Sequence, residues 1–120
     1  MTTADVAQKV VEYNRANKIK EVYAEFYSPD VVSVEAMPGP LQEVRGMDGI
    51  QKKMEWWEAN NEIHGVEVSE PLVSDSHFAV VYTMDVTNKE MNMRTKSAEL
   101  AVYEVKDGKV VREQFFYSMG

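Results

Sequence analysis

Three glutamates and a histidine are the candidates for proton-transfer chemistry in this sequence: Glu35, Glu99, Glu113 and His64. Glu35 is a lone acid in a largely apolar run (Val31, Val34, Ala36, Met37) and shares its alternation with Val31 and Ser33. A carboxylate buried there needs a partner or a proton, and either makes it a candidate base. On an edge strand its charge would instead discourage strand addition. His64 follows a helical stretch directly, from where its imidazole can carry a proton or orient a ligand. The alternative is a packing residue whose nitrogens are satisfied locally.

Whether Glu99 and Glu113 form one site depends on the last hairpin. If Lys106-Asp107-Gly108 is a three-residue loop with Gly108 left-handed, Val105 faces Lys109, Tyr103 faces Val111, Ala101 faces Glu113 and Glu99 faces Phe115. One side then carries Glu99, Tyr103, Glu113, Phe115 and Tyr117, with the two carboxylates diagonal and about 5.5 to 8 Å apart at the backbone. At that spacing in a partly dry cavity each raises the other's pKa, which suits acid/base work near neutral pH. A two-residue Asp107-Gly108 loop moves Glu113 to the side of Leu100 and Val102. The first register is the one expected here; the alternative is that both acids sit solvated at the rim.

Around these acids the aromatic residues favour a small, largely apolar, oxygenated ligand, with Tyr13, Trp57, Tyr103, Phe115 and Tyr117 as candidate binding residues. Trp57 also shares with Met54 a stripe that reads as core rather than cofactor box, which makes it a residue shared between core and pocket wall. No metal site is expected: His64 and His77 are the only histidines, and acids alone bind hard cations weakly. Without a glycine-rich phosphate loop, GxGxxG or nucleophile elbow, no cofactor is called for.

The elements that must position these residues follow from periodicity. Val6, Val10 and Tyr13, then Ile19, Val22, Tyr23 and Phe26, recur at three- and four-residue spacing and predict two helices. Thr3 is the expected cap, Asn17 the break, and Pro29 the end of the second helix. Asp30 to Met37 reads as a strand stopped by Pro38-Gly39-Pro40, and Met47 to Asn60 as a third helix. Four long β segments follow, Ile63 to Val73, His77 to Thr87, Met93 to Val105 and Lys109 to Tyr117, with turn residues between them. Strands of that length twist and curl. The expectation is a single α+β domain over residues 1–120, its curved antiparallel sheet packed on N-terminal helices in the order α-α-β-α-β-β-β-β.

Composition narrows the partners. Thirteen basic residues against twenty acidic ones give a net charge of −7, with no basic stripe, so nucleic acids and anionic membranes are repelled on average. The chain has no cysteine, hence no disulfide framework. The N-terminal stretch MTTADVAQKVVEYN lacks a basic region followed by an apolar run, and a cytoplasmic location is the expectation.

Two stretches carry a family resemblance: Phe26 to Val34 followed by Gly46-Met47-Asp48-Gly49-Ile50, and ELAVYEVKDGKVVREQFFY from Glu99 to Tyr117. With the element order, they resemble the SnoaL-like branch of the nuclear transport factor 2-like superfamily, which includes ketosteroid isomerase and polyketide cyclase relatives. The resemblance implies a cystatin-like α+β cone with a pocket inside, commonly a homodimer through the convex sheet face. Members of this superfamily include isomerases, cyclases, dehydratases, hydrolases and proteins without known catalysis, so fold does not select function. Against the isomerase pattern, Glu35 falls at the position of the carboxylate base. Val10 stands about where a Tyr belongs and Ala101 about where an Asp belongs, which leaves an enolate without its usual hydrogen-bond donors.

Two function classes therefore stay open. One is a cofactor-free acid/base enzyme of isomerase, cyclase or dehydratase type. The other is a non-catalytic ligand-binding or dimeric module, for which Ala98, Leu100, Val102 and Phe116 on the other sheet face would matter more.

Overall fold

A capping box starts the first helix, α1 (Thr3–Arg15): the Thr2 hydroxyl accepts from the Asp5 amide at 3.1 Å and the Asp5 carboxylate accepts from the Thr2 amide at 3.0 Å. These bonds hold the Asp5 carboxyl below its ordinary pKa. The cap is thus one residue earlier than expected, and the Thr3 hydroxyl instead donates to the Asp75 carbonyl. Val6, Ala7, Val10 and Val11 form the buried stripe of α1. Asn17 breaks the chain with φ of 59°, and α2 (Ile19–Phe26) follows, burying Val22 and Phe26.

In this computed structural model, which describes residues 1–118, the first strand, β1 (Tyr27–Val34), begins three residues before the expected start at Asp30. Pro29 lies inside it rather than ending a helix, within the stretch between Tyr27 and Val32 where the pairing register shifts. A missing amide costs no ladder bond in such an irregularity. A short strand that periodicity did not predict, β2 (Glu43–Arg45), pairs antiparallel with β1 and leads through Gly46, at φ 72°, into α3 (Gly46–Asn60).

The remaining strands are β3 (Asn61–Val68), β4 (Leu72–Val73), β5 (His77–Asn88), β6 (Met93–Lys106) and β7 (Lys109–Phe116). The long segment expected from Ile63 to Val73 is split where Ser69 turns to pair with Val81 and Pro71 supplies no donor. In the sheet the order is β2-β1-β7-β6-β5-β3, with β4 added beside β5. All pairings are antiparallel, as expected, except that β1 runs parallel to β7. Helices cover the concave side, where Val22, Val31, Ile50, Phe78, Val80 and Val110 are among the core residues. Among the described residues no helix is long and apolar enough to cross a membrane.

The last hairpin follows neither expected register. Asp107 and Gly108, at φ 53° and 75°, make a two-residue turn that pairs Lys106 with Lys109 and Val105 with Val110. A bulge then inserts Val111, so that Glu104 faces Arg112 and Tyr103 faces Glu113. The extra residue returns Glu113 to the inner side, with Tyr103 opposite it instead of Ala101.

Candidate functional site

The inner face of β1 sets one wall. Alternation places Val31 and Ser33 in the interior, both fully buried, and Glu35 continues that row just beyond the strand end. Opposite, α3 carries Ile50, Lys53, Met54 and Trp57 at helical spacing on one face. Ile50 is buried in the core and brings the Lys53 stem with it. The Lys53 ammonium lies 2.8 Å from Glu35 Oε2 and also donates to the Ser33 hydroxyl. Beneath it the Phe115 ring centroid is 5.0 Å away, within cation–π range.

Ser33 passes the connection inward. Its hydroxyl donates to Glu113 Oε2 at 3.0 Å, while the Tyr27 hydroxyl donates to Glu113 Oε1. Glu113 is only 2% exposed, and both its oxygens are satisfied, as a buried carboxylate requires. Burial raises its pKa, opposed by the charge of Lys53 and by the bonds from Tyr27 and Ser33. On the outward side, the Tyr117 hydroxyl donates to Glu35 Oε1 at 3.0 Å and accepts from the Met37 amide at 3.3 Å. Burial and the Glu35 charge push the Tyr117 phenol up to about 12.

Glu99 stands apart from this network. It sits on β6 opposite Tyr82, two inward positions from Tyr103, whose hydroxyl is 2.7 Å from that of Tyr82. No hydrogen-bond donor among the described residues meets its carboxylate. Burial first, then the negative charge of Glu35, pushes its pKa up to about 7, with Lys53 pulling the other way. A half-buried carboxyl raised toward neutrality, with no donor on it among the described residues, can give or take a proton.

Six of the residues singled out from sequence therefore share the concave side: Glu35, Glu99, Glu113, Tyr103, Phe115 and Tyr117. Glu99 and Glu113 are not diagonal neighbours, because the bulge sets Glu113 against Tyr103, with the Ala101–Phe115 pair lying between. Trp57 is half-buried one turn beyond Lys53. His64 does not reach this side: it is exposed on β3, at the end of the sheet, with its Nε2 2.7 Å from the Thr87 hydroxyl. The register shift between Ile63 and Gly65 falls at His64. Tyr13 is also elsewhere, its ring edge-on to Phe26 and its hydroxyl donating to Glu25 in an exposed pair.

Lys53, Ser33 and Tyr27 were missed. The signal for Lys53 was present, since a lysine inside the apolar stripe Ile50–Met54–Trp57 must pair or snorkel. Two surface depressions of about 160 and 240 Å³ open around His77 and Val102 on the outer sheet face, remote from the carboxylates. Among the described residues no three His, Asp or Glu side chains converge as a metal-binding group.

Residues 1–117 match the family model described as the SnoaL-like domain. The chain belongs to the SnoaL-like family. A solved structure from Mesorhizobium loti, named as a candidate SnoaL-like polyketide cyclase and also labelled carbohydrate phosphatase, is 33% identical, with 98% of this chain and 100% of that one covered at a TM-score of 0.93. A candidate polyketide cyclase from Pseudomonas putida is 16% identical over 99% and 93% of the two chains, with a TM-score of 0.72. A protein of unknown function with a cystatin-like fold from Xanthomonas campestris is 20% identical over 98% and 92%, with a TM-score of 0.74. No match was found among curated proteins. Within this SnoaL-like cone, Val10 and Ala101 are both fully buried apolar residues, so the usual isomerase donors have no counterpart at those two positions.

Proposed function

We propose that this SnoaL-like protein binds a small, largely apolar, oxygenated molecule on the concave side of its sheet and moves a proton on it without a cofactor. Glu99 is the proton carrier. The observation that carries this reading is the Glu99 carboxyl itself, half-buried on the inner face, without a hydrogen-bond donor among the described residues, and pushed up to about 7. Ordinary surface glutamates are fully ionised at that pH and are weaker bases. Glu35 and Tyr117 supply the polar rim, and Phe115 and Trp57 the apolar wall. The similarity to candidate polyketide cyclases supports an isomerase, cyclase or dehydratase type of reaction, each of which begins by moving a proton.

The test is deuterium exchange into a panel of small ketones and hydroxyketones, followed by NMR in buffered D₂O. Wild-type protein should accelerate exchange on at least one member, with a pH profile rising through about 7. Glu99→Gln should lower the rate at least ~100-fold with the fold intact. Equal rates for the two proteins would end the assignment of Glu99.

A second reading, compatible with the first, is a homodimer through the outer sheet face. Val81, Leu100 and Phe116 are consecutive cross-strand neighbours there, 39%, 39% and 47% exposed. Polar side chains flank the row, with Glu104, Arg112 and Gln114 toward one end and the Arg94–Asp85 ion pair toward the other. An apolar centre with a polar rim is the usual anatomy of a protein interface.

A further inference from the structure

We propose that Lys53 is a catalytic residue of this site, its ammonium receiving the negative charge that forms on a carbonyl oxygen when the adjacent carbon loses a proton. The ligand class is then a ketone or 1,3-dicarbonyl compound that passes through an enolate. This rests on the proton-transfer reading above and names its substrate class.

Proton removal next to a carbonyl is slow unless the oxygen's new charge is met by fixed donors. Val10 and Ala101 cannot provide them, being apolar and fully buried. Lys53 can. An ammonium has three donors, and only two are engaged here, by Glu35 Oε2 and by the Ser33 hydroxyl. The third is uncommitted among the described residues. Side-chain exposures of 14% for Lys53 and 23% for Glu35 mean that a small molecule can reach the pair while most water is kept off it. Partial burial strengthens the attraction of the ammonium for a developing oxyanion.

Its position is also held. Ser33, which accepts from Lys53, donates to Glu113, and Glu113 is fixed in turn by Tyr27. Two buried side chains thereby anchor a largely sheltered cation, the kind of support a preorganised site needs. The Phe115 ring below the ammonium gives a flat apolar surface beside the charge, which suits a planar enolate.

In the step itself the substrate C–H bond breaks and its proton forms an O–H bond on the Glu99 carboxylate. The electron pair left behind becomes the carbon–carbon double bond, and the former carbonyl pair moves onto oxygen beside Lys53. Lys53 keeps its three protons throughout. Reversal, with a deuteron taken up by Glu99 from solvent, completes exchange.

Binding of 4-nitrophenol tests this without any turnover, because its phenolate resembles a planar enolate and absorbs differently from the phenol. Wild type should bind the phenolate in preference to uncharged 4-nitroanisole. Lys53→Met should weaken phenolate binding roughly 30-fold and leave 4-nitroanisole binding unchanged, while Lys53→Arg, which keeps the charge and guards against a folding defect, retains most of the preference. Unchanged phenolate affinity in Lys53→Met, or no phenolate preference in wild type, overturns the proposal. Glu99→Gln separates the two readings: it should lose exchange but keep the phenolate preference. Full exchange in that variant would sink the base assignment and leave Lys53 standing.

Discussion

Lys53 Nζ and Glu35 Oε2 form a 2.8 Å ion pair between α3 and the end of β1, sheltered enough that neither partner is freely hydrated. Removing one member leaves the other charge without its counter-ion and only partly hydrated, whereas removing both leaves two neutral groups. Lys53→Met should therefore cost about 1–3 kcal/mol in urea unfolding, and Glu35→Gln less, since its amide oxygen can still accept from Lys53 although its NH2 then takes the place of the oxygen that accepts from Tyr117. The double variant should be more stable than the sum of the single effects implies. Strict additivity would mean that the pair contributes nothing beyond its parts.

Glu99 makes stability depend on pH in an unusual direction for a carboxylate. Its pKa is about 7 in the folded chain against an ordinary 4.5. Below 4.5 both states hold the proton and Glu99 has no effect; between 4.5 and 7 only the folded state holds it, so stability falls as pH rises, levelling off above 7. The loss amounts to roughly 3 kcal/mol at most. Glu99→Gln should remove this slope, making the variant the more stable protein at pH 8 and its equal at pH 4. Parallel stability curves for the two proteins across that range would refute the shift.

The outer-face row predicts its own outcome. Light scattering at micromolar concentration should give twice the chain mass, and Phe116→Asp should give a monomer with an unchanged circular dichroism spectrum, because Phe116 is 47% exposed and its loss opens no core cavity. A wild-type monomer would refute the dimer while leaving the concave site untouched.

The fold was legible because its signals are local and repeated. Helical spacing of Val6, Val10 and Ile19 through Phe26 marked α1 and α2, and turn residues between long β-branched runs marked the strands. What escaped depends on pairing. Nothing in Glu43-Val44-Arg45 announces a strand until β1 lies beside it, and Pro29 reads as a helix stop until the register shift that tolerates it is known.

The candidate site was legible in its acids, and its cation only as a lysine in need of some partner. Glu35, Glu99 and Glu113 stand out as charges interrupting apolar alternation, a pattern along a single strand. Lys53 belongs with them only through α3 packing across β1, a tertiary relation that no window of sequence contains. His64 misled for the converse reason: adjacency in the chain suggested reach, but the bonding partner is Thr87 on the next strand.

The bulge at Val111 gives pairing register a chemical meaning in this ribbon. Were Val111 instead to take a regular place opposite Glu104, with the tight turn kept, Glu113 would trade sides with its neighbours, pointing away from Ser33 and Tyr27 and putting Arg112 or Gln114 in reach of them. Relatives of the same length whose ribbon pairs without this bulge would thus carry a different polar lining under the same outline, whereas loss of Val111 itself would leave Glu113 facing inward.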